Sequence, residues 1–269
     1  MLRSLINKVT VFLHPDYVAV VKHTGLLKKH ISKREIVAIQ HSETELMADK
    51  VLDVLKQLLS KPEWKSCDIH IVLSGHFSKF RVSKWNESLS KDERQVLVRH
   101  QVEEIYAEKF QVFIAESGFG KNGLAVAIEH NLYLGLLDLE KKLNIKFLSM
   151  NPYFVAIANH WRGSIDASAL LIIREDAFVY IASIKNNSWE IIKTILASDG
   201  WEQEVERALG LEMMPSEADA GKINCYFHEE KKTNLNPKFL TGTSNHVISL
   251  SFNGMADANP KFYFARYLA

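Results

Sequence analysis

The sequence predicts an α/β protein made of two similar halves, residues 1–149 and 150–269. Three strands in succession are predicted near the start of each half, at residues 9–13, 17–21 and 31–40 and again at 169–173, 178–184 and 189–196. Each triplet is accompanied by helices whose apolar residues recur at helical spacing. This repetition favours a duplicated unit with mixed sheets.

Composition supports a folded protein with a large core. The chain has 269 residues, of which 47% are hydrophobic and 24% charged, as in average globular domains. Thirty-three basic residues nearly balance 32 acidic ones, which leaves a formal charge of +1. No overall electrostatic field therefore attracts nucleic acid, and nucleic acid is not an expected partner.

In the first half, the turn-forming residues 14–16 separate the first two strands and predict a hairpin. Leucines and valines then predict a helix over residues 46–59, which Pro62 ends, and a strand follows at 69–74. Ser90 and Glu93 have the spacing of a capping box and begin a helix that extends to about residue 110. Strands at 111–116 and 124–129 and a helix at 131–143 complete this half.

Residues 77–85 combine basic and aromatic side chains. Phe80 and Val82 alternate with Lys79, Arg81 and Ser83, which indicates a half-buried strand rather than a surface for stacking nucleic-acid bases. An open edge on such a strand would allow a peptide to bind by strand addition.

The second half begins with a predicted helix at 153–161, after Asn151 and Pro152, and continues into its three strands. A helix at 201–209, a loop at 212–221 and strands at 223–227 and 247–252 follow. Both halves are therefore mixed α/β units.

Residues 118–123 match the dinucleotide-binding pattern GxGxxG. That fingerprint needs a helix after it, because the helix N-terminus binds the pyrophosphate, whereas here a strand is predicted on both sides. A glycine-rich hairpin turn is the expected structure.

The sequence contains none of the usual catalytic or metal-binding patterns. Its 11 histidines form no HxH, HxxxH or HExxH pair, and no GxSxG motif is present. Cys67 and Cys225 are too far apart in sequence to form a CxxC pair and are expected to be buried thiols in a reducing compartment. No catalytic residue and no metal ligand is predicted.

Neither a membrane span nor a leader peptide is expected. The longest apolar runs are a handful of residues, against the roughly 20 that a spanning helix needs. The first seven residues lack the apolar segment and cleavage site of a secretory signal. The sequence therefore predicts a cytoplasmic protein.

Several segments resemble a known family. Residues 72–77 (Val-Leu-Ser-Gly-His-Phe), then Arg81 and Trp85, and a helix carrying Glu93, His100 and Gln101 are similar to the PilM-like and GspL-cytoplasmic family. Residues 148–157 resemble its transition to the second half, and residues 200–211, with Glu217 and Ala218 beyond, resemble a later helix. These are actin-like proteins of type IV pilus and type II secretion systems. The resemblance implies an actin-like (ribonuclease-H-like) duplicated two-domain fold with a small subdomain inserted in the first half.

Two departures from the family concern nucleotide binding. Nucleotide-binding members carry Asp-x-Gly in the first hairpin turn and again at the start of the second half, where glycine admits phosphate and aspartate serves the metal. The corresponding positions here are Phe12 and His14, and Ile172 and Arg174. Both phosphate loops are degenerate, so no nucleotide cofactor and no ATP hydrolysis are expected. The stretch after Gly210 is also too short for the full extra subdomain of larger members.

The resemblance therefore implies a non-catalytic scaffold that docks a pilus or secretion protein of the inner membrane. Its expected partner is the cytoplasmic tail of a bitopic protein, lying in a groove near Phe77, Lys79 and Arg81. An assembly ATPase and a second copy of the chain are further candidate partners. The protein would then be peripheral to the inner membrane through its partner.

Two other functions compete with the scaffold. A divergent nucleotide-binding ATPase or switch would use a site around His14, Asp16, Arg174 and Asp176. A nuclease on a ribonuclease-H-like core would need clustered carboxylates on its first strand to bind two metal ions. Residues 8–13 contain no carboxylate.

Overall fold

The computed structural model describes residues 7–25, 30–40, 46–64, 67–106, 109–198, 200–209, 223–229 and 246–250. Expectations for the loop at 212–221, for Glu217 and Ala218, and for the size of any subdomain after Gly210 concern residues outside these ranges.

A mixed five-stranded sheet forms the base of the first half, in the order β3-β2-β1-β4-β8. Its strands are β1 (Asn7–His14), β2 (Tyr17–Thr24), β3 (His30–Ala38), β4 (Asp68–Leu73) and β8 (Phe147–Pro152). Strands β1 to β3 are antiparallel, whereas β4 pairs in parallel with both β1 and β8. Because β8 belongs to this sheet, the expected boundary at residue 149 falls inside a strand.

The second half repeats this arrangement, with the order β11-β10-β9-β12-β13. Its strands are β9 (Ala169–Glu175), β10 (Phe178–Lys185), β11 (Ser188–Leu196), β12 (Asn224–Glu229) and β13 (His246–Ser249). The same alternation of antiparallel and parallel pairing recurs. The predicted α/β fold with two duplicated halves and mixed sheets is confirmed.

A smaller three-stranded sheet is inserted in the first half, in the order β5-β7-β6. Its strands are β5 (Ser78–Ser83), β6 (Phe110–Ala115) and β7 (Gly123–Glu129), and α2 (Lys91–Tyr106) packs against it. The capping box is present, since the Ser90 N–H donates to Glu93 Oε2 (2.8 Å) and the Glu93 N–H donates to Ser90 Oγ (3.2 Å).

The other helices are α1 (Met47–Leu59), α3 (His130–Leu143), α4 (Tyr153–Trp161) and α5 (Trp201–Ala208). Helices α1 and α3 pack closely, because Gly135 has no Cβ; one built there would lie 2.1 Å from the Leu52 side chain. Helix α4 connects the halves, and α5 packs on the outer face of the second sheet.

The main hydrophobic core is continuous across both halves. It contains Leu13 and Val72 from the first sheet, Tyr153 from α4, and Leu171 and Tyr180 from the second sheet. Burial of this apolar surface is the principal force that holds the halves together.

Candidate functional site

The hairpin turns of the two halves face each other across the cleft between the sheets. In β1–β2 the turn is flanked by the pair His14–Tyr17, and in β9–β10 by the pair Glu175–Phe178. His14 Nε2 lies 3.7 Å from Asp176 Oδ2, and His14 Nδ1 lies 3.6 Å from Asp16 Oδ2. A histidine of the first turn therefore lies between carboxylates of both turns.

Aromatic rings fill the space beside His14, whose side chain is buried. The His14 ring stacks on Tyr17, with 4.7 Å between centroids, and meets the edge of His76 at 5.3 Å. His76 in turn packs edge-on against Phe178 at 4.8 Å. Burial, followed by the proximity of His14, lowers the pKa of His76. This part of the cleft is closed by ring packing.

Glu175 forms the second link between the halves and is fully buried. Its carboxylate accepts the Gly75 backbone N–H at 3.0 and 3.2 Å and the Tyr180 hydroxyl at 2.8 Å. The Ser74 side chain is a further hydrogen-bond partner. Burial raises the pKa of Glu175, because a carboxylate that has left water favours its neutral form.

Gly75 makes this link possible because it has no side chain. A Cβ at this position would lie 1.8 Å from the Tyr180 hydroxyl oxygen. The turn after β4 therefore approaches β10 more closely than any other residue would permit.

The structure places the expected phosphate-loop positions on two different faces. Phe12 and His14 face the cleft, where the Phe12 ring lies 6.1 Å from that of Tyr153. Ile172 packs into the outer cluster under α5, and Arg174 binds Glu229 there (2.6 Å). Successive strand residues point to opposite faces, so these two side chains point away from the cleft.

The structure thus brings together His14, Asp16 and Asp176 and leaves Arg174 outside. Glu175 is the residue that sequence reasoning missed, although it immediately follows Arg174. The register provides a signal for it: His14 and Glu175 each precede a two-residue turn and pair with the first residue of the next strand.

Asn122 joins the inserted sheet to the second half at a separate point. Its Nδ2 donates to the Trp189 carbonyl (3.0 Å), its Oδ1 accepts the Trp85 N–H (2.9 Å), and its own N–H donates to Ser188 Oγ (3.0 Å). Asn122 lies in the GxGxxG segment. The predicted hairpin turn is confirmed there, since the segment connects β6 and β7 and two of its glycines have positive φ, 119° and 73°.

The three residues expected to bind a partner have different environments. Phe77 is 1% exposed and belongs to the main core, so it cannot line a surface groove. Lys79 Nζ lies 5.7 Å from the centre of the Tyr106 ring on α2. Arg81 lines a surface groove. Strand β5 lies at the edge of its sheet and contacts β11 of the second half.

We name the depression beside Arg81 the β5–α2 groove. It lies between β5, the segment that follows it, and α2, and has a volume of about 690 Å³. Its lining residues are Arg81, Val82, Ser83, Lys84, Trp85, Asn86, Glu87, Leu89, Arg94, Leu97, Val98 and Gln101.

Within the described ranges, no group of three or more His, Cys, Asp or Glu residues has an arrangement that could hold a metal ion. Cys67 and Cys225 are both free thiols. Burial raises the pKa of Cys225 to about 12. No helix in the described part of the chain is both long and apolar enough to span a membrane.

Comparisons with known proteins identify relatives by structure. No family model matches the sequence, and no curated protein matches it. The chain is similar in structure to PilM of a PilM-PilN type IV pilus biogenesis complex, with a TM-score of 0.66, 9% identity and 98% of each chain covered. It is also similar to a Bacteroides thetaiotaomicron protein with an actin-like ATPase fold and unknown function (TM-score 0.57, 8% identity, 93% and 92% covered).

A third similar structure is the cytoplasmic domain of EpsL, an inner-membrane component of the type II secretion system of Vibrio cholerae. Its TM-score is 0.55 at 8% identity, with 97% of this chain and 94% of that chain covered. At these identities the likeness concerns the fold. The expected resemblance is confirmed at that level: the chain has the actin-like ATPase fold that is also found in PilM and in the cytoplasmic domain of EpsL.

Proposed function

We propose that this protein is a non-catalytic actin-like scaffold that docks an inner-membrane protein of a type IV pilus or type II secretion assembly platform. The observation that carries the proposal is the closed cleft: buried side chains from both hairpin turns occupy it within a fold that matches PilM over 98% of each chain.

The cleft is poorly suited to a nucleotide triphosphate. Phosphate binding requires free backbone N–H groups and a carboxylate with room for a magnesium ion. Here the Gly75 N–H is already bonded to Glu175, and the His14 ring lies between Asp16 and Asp176. A phosphate at these turns would have to displace the buried side chains of His14 and Glu175, which supports a structural rather than a catalytic role for the turns.

The proposed partner is the cytoplasmic tail of a bitopic inner-membrane protein. PilM is present in a complex with PilN, and EpsL is an inner-membrane component. Recruitment through such a tail would place this chain in the cytoplasm, peripheral to the inner membrane. An assembly ATPase and a second copy of the chain are additional partners that the same scaffold would accommodate.

An affinity capture tests this function. The tagged protein is incubated with detergent-solubilised membranes of its own host, and bound proteins are identified by mass spectrometry against a tag-only control. We expect enrichment of inner-membrane pilus or secretion proteins. Recovery of no such protein, above all with nucleotide copurifying instead, would overturn the scaffold.

A divergent nucleotide switch is the competing function, because His14, Asp16 and Asp176 do lie together. It predicts saturable binding of ATP with magnesium. Isothermal titration calorimetry at millimolar ligand distinguishes the two functions, with Asp176→Asn as the site variant and Asp138→Asn, at an exposed position of α3, as the matched control. Heat that is lost only in the Asp176 variant would favour the switch.

A further inference from the structure

We propose that the β5–α2 groove binds an extended peptide segment carrying both acidic and apolar side chains. This inference rests on the proposed function, because a scaffold must offer its partner a docking surface. The shape of the groove, its charge and the apolar side chains at its rim support it.

The shape and position of the groove suit a peptide. Its volume of about 690 Å³ lies within the range of small-ligand pockets, roughly 300–1,000 Å³, and residues of α2 line one side of it. Arg81 and Ser83 share the face of β5 that points toward α2, since strand side chains alternate and Phe80 packs in the opposite direction against Phe154.

Two buried donors in the groove lack acceptors. Ser83 is 1% exposed and Arg94 6% exposed, and neither Ser83 Oγ nor Arg94 Nε has a hydrogen-bond partner in the part of the chain that the structure describes. Leaving a buried donor unpaired costs about 1–3 kcal/mol in proteins generally. Both atoms are buried, so a ligand oxygen would reach them only after the side chains that line the groove move.

The charge of the groove selects an acidic ligand. Arg81 and Lys84 line it, and no carboxylate of the described residues lies within 4 Å of either charged group. Arg94 Nη2 is bound to Glu116 (2.8 Å), so its charge is largely compensated. Arg81 and Lys84 are therefore two unpaired positive charges among the described residues of the lining, which contains one carboxylate, that of Glu87.

Aromatic and aliphatic side chains at the rim provide apolar anchors. The Arg94 guanidinium lies over the Trp85 ring, 4.6 Å from its centroid, and the Trp85 and Phe119 ring centroids are 4.9 Å apart. Phe119 is 88% exposed and Leu97 48% exposed. Trp and Arg residues that adjoin exposed apolar side chains are typical of the residues that dominate protein interfaces.

The same features disfavour a single-stranded nucleic acid. Leu89, Leu97 and Val98 make one wall of the groove aliphatic, which offers no partner to a phosphate backbone. Successive bases need several exposed aromatic platforms, whereas the groove itself is lined by one aromatic residue, Trp85.

Fluorescence anisotropy with defined probes tests the proposal. The probe is a short fluorescein-labelled peptide of alternating leucine and aspartate. Its controls are a leucine–lysine peptide, a serine–aspartate peptide and an oligothymidine of similar length. We expect saturable binding of the leucine–aspartate peptide alone. Equal binding of all probes, or preference for the oligothymidine, would overturn the acidic-peptide assignment.

Variants locate the site. The double variant Arg81→Glu, Lys84→Glu should weaken binding at least tenfold, whereas Lys141→Glu, an exposed charge reversal on α3, should leave binding unchanged. Equal affinity of the double variant and the wild type would place the peptide elsewhere.

The membrane capture separates this proposal from the proposed function. A double variant that still captures the membrane partner as the wild type does refutes the groove and leaves the scaffold standing. A wild type that binds the leucine–aspartate peptide but captures no pilus or secretion protein retains the groove and refutes the scaffold.

Discussion

The Glu175 carboxylate accepts the backbone N–H of Gly75 at 3.0 Å, across 100 positions of sequence. This bond joins the end of β9 to the turn after β4, and so joins the two halves at the place where the fold has its cleft. The Tyr180 hydroxyl, which belongs to the second half like Glu175, donates a further hydrogen bond to the same carboxylate. A buried acid is thus a group that links the two halves.

Glu175→Gln should make the protein more stable than the wild type at high pH. The pKa of Glu175 is raised by burial, so its stabilising contribution is fully present below the unfolded pKa and is lost as pH rises through the folded pKa. Glutamine cannot ionise and retains an oxygen that accepts from Gly75. Urea unfolding measured from about pH 5 to about pH 9 should show a variant advantage that grows with pH. Glu190→Gln, at an exposed position, is the control, and an advantage independent of pH would contradict the ionisation of Glu175.

Gly75→Ala should destabilise the protein, by about 1–3 kcal/mol as is usual for overpacking. The new Cβ would lie 1.8 Å from the Tyr180 hydroxyl oxygen, so either the turn or the tyrosine must move. Adding Tyr180→Phe should recover part of the loss by removing that oxygen, and a double-mutant cycle of chemical denaturation measures the recovery. Fully additive losses would show that the two residues do not meet.

Asn122→Ala should cost about 1–3 kcal/mol of unfolding free energy. The change removes the side-chain bonds to the Trp85 N–H and the Trp189 carbonyl and leaves these backbone groups without their partner. Asn131→Ala, an exposed position on α3, should have a much smaller effect in the same assay. Equal effects would mean that Asn122 does not link the inserted sheet to the second half.

His228→Asn should reduce the loss of stability at acidic pH. His228 is buried, its Nδ1 lies 2.8 Å from the Leu250 carbonyl, and burial lowers its pKa to about 4. The unfolded chain therefore binds an additional proton between about pH 6.5 and 4, which costs the native state roughly 3 kcal/mol over that window. The unfolding temperature should change less with pH across this range in the variant than in the wild type. The exposed control His100→Asn should show the same pH dependence of the unfolding temperature as the wild type. If His228→Asn also shows the wild-type pH dependence, His228 is not the cause.

Local patterns account for most of the elements. The Ser90–Glu93 capping box, the break at residues 14–16 and the helix Tyr153–Trp161 were all predictable because their signals lie within a few residues. The repeated triplet of strands also predicted the duplication. β8 gave no such signal, since residues 147–152 lack the alternation of a half-buried strand and are held by pairing with β4.

The candidate site was less predictable. His14, Asp16 and Asp176 could be named as neighbours because each lies at a hairpin turn. The exclusion of Arg174 and the role of Glu175 depend on a one-residue register that determines which face of β9 enters the cleft. Phe77 shows the same limit, because its burial in the main core depends on tertiary packing and not on its neighbours along the chain.

The sequence by itself determined the α/β class, the duplication, the capping box of α2 and the absence of the Asp-x-Gly loops at the expected positions. Only the tertiary structure decided that ring packing closes the cleft beside His14, that Asn122 links the inserted sheet to the second half, and that Arg81 and Lys84 line one groove. The reason is physical: helix caps, turns and strand alternation are governed by neighbours along the chain. Hydrogen bonds such as Glu175 to Gly75 exist only after packing brings together residues that are 100 positions apart.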